Sequence, residues 1–215
     1  MTPYEDVARA IEAHRRLEAA VGGLDDDDVR RPSLLPGWTV GHLLTHIARN
    51  ADSVRRRTEG AARNEVVDQY AGGPAGRAAE IEAGADRRAR ELIDDIHTSD
   101  GALEAVWDAL PEPAWSGLSR DVSGRERPVH ELPRLRWYEV EVHLVDVGGG
   151  VGLTPDDWPA HFVDRRLPEL RAGLPGRLPP GAQPPAQGAL TPHQELAWLY
   201  GRLRRDDLPD LSPWA

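Results

Sequence analysis

The 215-residue sequence contains no cysteine, which excludes disulfides, a cysteine nucleophile and any thiolate metal ligand. A thiol that takes part in the chemistry has to come from outside the chain. Lysine is absent too: all 26 basic residues are arginine, a usage that a GC-rich genome explains most simply and that also suits a two-pronged grip on carboxylates. No basic stripe offsets the net charge of -10. Because binding to a phosphate backbone is driven by clustered positive charge, a nucleic-acid partner is not expected. There is no run of 18 apolar residues and no leader of basic, apolar and small-residue parts, so neither a membrane span nor a signal peptide is expected and the predicted location is cytoplasmic. No internal repeat stands out at a fixed period. What is present is 40% hydrophobic content, enough for a real core in one domain or in one domain with a small appendage.

Periodicity predicts mostly helices. Val7, Ile11, Leu17 and Val21 mark an amphipathic first helix over 3–21, and Asp25 to Arg31 reads as a charged loop. After the Pro36-Gly37 turn, Thr39 is placed to cap a second helix with apolar positions Val40, Leu43, Leu44, Ile47, Ala51 and Val54, ending near Gly60. Gly72 to Gly76 break the chain, and Ala78, Ile81, Ala85, Ala89, Leu92 and Ile96 predict a third long helix, followed by a shorter piece over 103–110. Turn residues between Pro111 and Pro128 predict a loop or a small hairpin.

The segment from Val129 to Val147 is ambiguous, because EVEVHLVDV alternates polar and apolar residues and is rich in β-branched side chains, as strands are. Its helical surroundings favour a helix that ends at Gly148 to Gly150, where a domain boundary is expected. Beyond it, helices are expected from Pro155 to about Ala172 and from Pro192 to about Arg205, each opened by Thr followed by Pro. Between them GLPGRLPPGAQPPAQG is too rich in Pro and Gly for regular structure. Trp38, Trp137, Trp198 and Trp214 are expected to pack in the core or between the two parts.

Two distant stretches carry the chemistry. Positions i and i+4 share a helical face, so Glu139 and His143 aim a carboxylate and an imidazole at one point, and a strand would likewise put Glu139, Glu141 and His143 on one face. A third ligand from a facing helix, His46 or His42, would complete a His2Glu set, which suits a catalytic zinc with its fourth position open. Asp146, three residues past His143, is placed to receive a ring N–H from that histidine. On a helix Glu141 faces away from Glu139 and is expected to be solvated or paired with Arg. The Arg run at 55 to 57 and the Asp run at 25 to 28 read as solvated surface, and His97, His130, His161 and His193 carry no spacing signal.

The stretches LPGWTVGHLLTHIARNAD, ARNE around Arg63, RWYEVEVHLVDVG, and WLYGRL with a terminal LPDLSPW together resemble the mycothiol-dependent maleylpyruvate isomerase family within the DinB-like metalloenzymes, nearly end to end. The resemblance implies a mainly α protein: a DinB-like, metal- and thiol-binding four-helix bundle over 1–150, and a small, reduced C-terminal α or α/β domain with a Pro-rich loop over 151–215. It implies zinc, or another divalent metal, on His46, Glu139 and His143. It also implies substrate-anchoring roles for Arg63 and Arg202, and a role for Asn50 in orienting a ligand or contacting substrate, with Arg63 and Asn50 as cofactor contacts.

The implied cofactor is mycothiol, the low-molecular-weight thiol of actinobacteria, which fits a chain with no thiol of its own. The implied reaction converts maleylpyruvate to fumarylpyruvate by thiolate addition, rotation and elimination. The C-terminal part departs from the family pattern by offering little that could pair into a sheet. An S-transferase acting on another electrophile, such as a biosynthetic intermediate or a toxin, is therefore the alternative, and a non-catalytic metal-binding bundle the alternative of another class. The expected partners are mycothiol and a small electrophile, in a monomer or homodimer, with no nucleic acid and no membrane.

Overall fold

Residues 3–212 are described by the computed structural model, so the expectation for Trp214 lies outside the described residues. The chain divides into two compact units, one ending at Gly152 and the other beginning at Leu153.

In the first unit, helices α1 (Tyr4–Val21), α3 (Val40–Ala62), α5 (Ala89–Ala109) and α6 (Leu132–Asp146) form a four-helix bundle in which α1 packs on α5 and α6, and α3 packs on the same two. Three of them turn an apolar stripe inward: Ala10, Ala13, Leu17 and Val21 from α1, Leu43, Leu44, Ile47, Ala51 and Val54 from α3, and Leu92, Ile96, Leu103 and Trp107 from α5 are all buried, at the spacing a helix requires. The short α2 (Asp26–Arg30) precedes α3, and α4 (Gly73–Ala85) packs along it. A two-stranded antiparallel hairpin, β1 (Leu118–Arg120) and β2 (Glu126–Pro128), pairs Ser119 with Arg127.

Three local expectations are corrected. Asp25 to Arg31 holds a helix rather than a loop: the Asp25 carboxylate accepts from the Asp27 and Asp28 amides at 2.9 Å, while Asp28 accepts from the Asp25 amide at 3.1 Å. The acidic run is thus a cap, and its charge suits a helix N-terminus. The third long helix is two. Arg87 donates to the Gly84 carbonyl at 3.0 Å and Glu91 accepts from the Arg88 amide at 3.0 Å, so one helix is closed and the next capped within four residues. Conversely, no break falls before Leu103. Gly101 costs a helix about 1 kcal/mol relative to Ala, but Leu92, Ile96, Leu103 and Trp107 continue the buried stripe across it.

Helix α6 is helical in spite of its alternating sequence. Val140, Val142, Leu144 and Val145 are buried, as are Arg136, Glu141 and Asp146. A helix enclosed on most sides needs no single apolar stripe, so the period that identifies surface helices is missing.

The second unit is helical among its described residues, with α7 (Ala160–Gly173) and α8 (Pro192–Leu199) around Trp158, Phe162, Leu167, Leu170, Leu196 and Trp198. The helix expected from Pro155 begins as a single turn, Pro155–Asp157, and restarts at Ala160. The interruption is at Trp158, whose backbone is extended because the following Pro159 disfavours the helical region. The helix expected to reach Arg205 ends at Leu199: Gly201 adopts φ 72°, and the Arg202 amide turns back to the Ala197 carbonyl at 2.7 Å, as in helices stopped by a left-handed glycine. No helix among the described residues is long and apolar enough to cross a membrane.

Candidate metal centre

The first turn of α3 fixes one side of the site. Thr39 accepts from the His42 amide at 3.3 Å, and His42 Nδ1 accepts from the Thr39 amide at 3.3 Å, a reciprocal cap in which histidine takes the place usual for Glu or Gln. One turn later His46 enters the bundle and is 2% exposed. From the neighbouring α6, Glu139 and His143 project toward it. Glu139 Oε1 lies 2.8 Å from His46 Nε2 and 3.7 Å from His143 Nε2, and the donor atoms of the three residues all lie within 4.8 Å of one another.

The surroundings orient these donors. His143 Nδ1 donates to the buried Asp146 carboxylate at 2.9 Å, leaving Nε2 with its lone pair toward the cluster. Asp146 is fastened in turn by its backbone, since its carbonyl accepts from the Leu34 amide at 2.9 Å, in the loop that leads to Trp38. The Trp38 ring packs edge-on against His46 at 5.5 Å, and His143 does so at 5.0 Å. Burial pushes the His46 pKa down, against the pull of Glu139, which keeps the imidazole neutral and able to ligate. Burial pushes Glu139 up, but the hydrogen bond from His46 and the charges of His143, His46 and Arg136 outweigh it and hold the carboxyl well below the usual range. Its side chain is 31% exposed, so the cluster can be reached from solvent.

Two imidazole nitrogens and a carboxylate oxygen, fixed on two rigid helices, make a donor set that fits a divalent ion with one position left open. His/Glu ligands suit zinc without selecting it over nickel or other divalent ions.

The structure brings His46, Glu139 and His143 together and places the other expected residues as follows. Asn50, one turn after His46, donates to Glu139 Oε1 at 3.4 Å and so touches a candidate ligand. His42 is outside the cluster and pairs with Thr39 and Glu82. Glu141 is buried and bound to Arg16 at 2.5 Å, with burial pushing its carboxyl up against that charge. Arg63 is not brought to the cluster. It lies about 25 Å further along α3 by the 1.5 Å rise per residue, exposed and paired with Glu65 at 2.8 Å. Arg202, in the second unit, donates to the Tyr200 carbonyl at 2.5 Å.

Sequence reasoning passed over two groups. Arg77 of α4 reaches the His46 ring at 3.2 Å and lies over the rings of Trp38 and Tyr70 at 5.6 and 5.9 Å; nothing in its glycine-rich surroundings signals this. The second group is a buried polar cluster. Arg136 donates to His14 Nε2 at 3.1 Å, to the Ile47 carbonyl at 2.8 Å, to Asn50 Oδ1 at 2.9 Å and to Asp100 at 2.7 Å, and His14 also pairs with Glu104 at 2.9 Å. The signal was available: His14 sits at helical spacing from the buried Ala10 and Leu17, and Arg136 from Leu132 and Val140, so each is a polar residue on a core face.

Compared with known proteins, residues 10–148 match the family described as the mycothiol maleylpyruvate isomerase N-terminal domain. A crystal structure of the mycothiol-dependent maleylpyruvate isomerase is similar in fold, with TM-score 0.82 and 24% identity over 99% of this chain and 93% of that one. A histidine-to-alanine mutant of that enzyme gives TM-score 0.81 at 23% identity over the same shares. YfiT from Bacillus subtilis, a "probable metal-dependent hydrolase with an unusual four-helix bundle topology", gives 0.57 at 15% identity over 67% of this chain and 83% of its own. No curated protein matches the chain.

Proposed function

The chain belongs to the mycothiol maleylpyruvate isomerase N-terminal domain family, and from that premise we propose that it is a zinc- and mycothiol-dependent isomerase converting maleylpyruvate to fumarylpyruvate. The observation that carries this reading is the convergence of His46, Glu139 and His143 within 4.8 Å at the junction of α3 and α6. When bound, the ion lowers the pKa of a thiol and fixes it as a nucleophile, and mycothiol supplies that thiol for reversible addition to the electron-poor double bond.

The chain's own residues hold, orient and shield. His46, kept neutral by burial, and Glu139, kept ionised by its neighbours, carry the net charges a ligand needs at neutral pH. Asp146 fixes the tautomer and ring plane of His143. Asn50, itself held by Arg136, steadies Glu139, and Trp38 walls one side of His46 against water. Arg77 places a cation at the edge of the cluster, where an anionic substrate gains from it.

The test is metal analysis of the wild type beside His46→Ala, together with an assay of maleylpyruvate with and without mycothiol. The expected result is about one divalent ion per wild-type chain, loss of that ion in the variant, and thiol-dependent turnover with the thiol regenerated. A wild type that holds no divalent metal ends the enzyme reading. Bound metal with maleylpyruvate untouched ends the substrate assignment alone, and accumulation of a stable thioether reassigns the protein as a thiol S-transferase.

A further inference from the structure

The arginine run at 55 to 57, read from sequence as solvated surface, contains one residue that is not. Arg57 is 3% exposed. The reason is helical phase: His46, Asn50, Ser53 and Arg57 are separated by four, three and four residues and therefore share one face of α3, the face that carries the candidate ligand. Among the described residues no carboxylate lies within ion-pair distance of Arg57, and its guanidinium is left with a single hydrogen bond, from Nε to the Ser53 carbonyl at 3.3 Å. That bond folds the side chain back along α3 toward His46, the direction in which helical side chains lean. Burial lowers the Arg57 pKa to about 10, so the group is charged at neutral pH.

Its neighbours are also short of acceptors. The buried Ser53 hydroxyl, the buried Tyr70 hydroxyl and the buried Nε of Arg127 have no hydrogen-bond partner. Tyr70 lies near Arg77 and Asn50 without a well-aligned bond to either, and its phenol is pushed up by burial and by the charge of Glu139, so it remains an O–H donor within electrostatic reach of the cluster. The acid whose charge acts on Arg57 is Asp121, which is committed to Arg127 at 2.8 Å. A buried cation with idle donors beside it costs free energy unless something acidic meets it. A guanidinium beside hydroxyls that can turn their O–H toward a guest, with no carboxylate of the chain paired to it among the described residues, favours an anion, and a planar guanidinium favours a carboxylate.

We propose that Arg57, with Ser53 and Tyr70, is a carboxylate-binding subsite that takes the carboxylate of the substrate remote from its reacting double bond. The assignment rests on the isomerase reading for the identity of the acid. The level of Ser53 on α3 is about 10 Å from that of His46, from the helical rise, a separation that suits an extended keto acid whose reactive end is at the cluster. The subsite selects for charge, since a neutral electrophile leaves the cation unmet, and its distance from the cluster sets the length of acid that can engage both.

The experiment uses acetylpyruvate, which keeps the remote carboxylate and lacks the double bond, and its methyl ester, titrated calorimetrically into the metal-loaded full-length protein. Wild type is expected to bind the acid at least about 30-fold more tightly than the ester, Arg57→Met to abolish that preference without changing ester affinity, and Arg57→Lys to restore part of it, the size following from loss of a charge-assisted hydrogen bond. If Arg57→Met does not fold, Ser53→Ala and Tyr70→Phe each remove one donor and should weaken the acid by about 3- to 10-fold. Binding of acid and ester to wild type within about 3-fold of one another, no binding of the acid at all, or unchanged acid affinity in the variants overturns the proposal. Because the probe is not turned over, a protein that fails to isomerise maleylpyruvate yet discriminates acid from ester would lose its proposed reaction and keep this subsite.

Discussion

Two arginines are buried on neighbouring helices, and they are built in opposite ways. Arg136 of α6 places four of the five N–H groups of a guanidinium on His14, Ile47, Asn50 and Asp100, and the second oxygen of Asp100 is left without a partner. Arg57 of α3 spends one N–H on a carbonyl of its own helix and faces hydroxyls with no partner. A buried charge that is almost fully answered from within the chain ties helices together. One that is scarcely answered is stabilised only when something from outside arrives. The same residue type thus serves as a joint in one place and as a receptor in the other, and the difference is visible in the count of idle donors.

The largest effect expected from this contrast is on stability. Arg136→Met strands Asp100 and His14 in the core and should cost about 3–5 kcal/mol, as removal of one partner from a buried pair does, measured by urea unfolding. The same change at Arg57 removes an unpaired charge and should alter stability by less than about 1 kcal/mol. Equal losses at the two positions would break the contrast.

Asp146→Asn probes a third arrangement, a buried carboxylate whose partner is a candidate ligand. It should weaken metal affinity by about 10- to 100-fold with the ligands themselves intact, read by competition with a chelator, and a change under about 3-fold would show that the brace on His143 is idle.

The smallest effect concerns pH. Burial pushes the Glu104 carboxyl up, but the His14 hydrogen bond and the Arg15 charge outweigh it and hold the pKa below its ordinary 4.5. A carboxylate depressed on folding contributes stability that is present above the unfolded value and lost as pH falls through the folded one. Glu104→Gln should therefore flatten the acid limb of the stability profile below about pH 4.5, by about 1 kcal/mol, and leave the profile near neutrality parallel to wild type.

The pairing of Glu139 with His143 was legible in the sequence because an i,i+4 pair needs only a helix to share a face, and the two residues received one. The choice between His42 and His46 was not settled by phase, since both share a face. The cap commits His42 to Thr39 and leaves His46 beside Glu139. The helical state of α6 could not be read from its pattern, because enclosure erases the period that pattern reading relies on. The division between α4 and α5 was hidden because Asp86, Arg87 and Arg88 are not breakers; the stop comes from side chains turning onto backbone. Arg57 was misplaced because a run of like charges was read as a unit, although three consecutive helical residues point in three directions and one of them points back at Ser53.

Asp146 fastens two things at once. Its carboxylate steadies His143, and its carbonyl holds the Leu34 amide in the loop that carries Trp38. The rim and the floor of the centre therefore share one anchor, and fraying of the final turn of α6 slackens both together. The Leu34 amide is thus a natural gauge: its rate of exchange with deuterated solvent follows how tightly that turn stays wound, and it does so from a position outside the cluster of His46, Glu139 and His143.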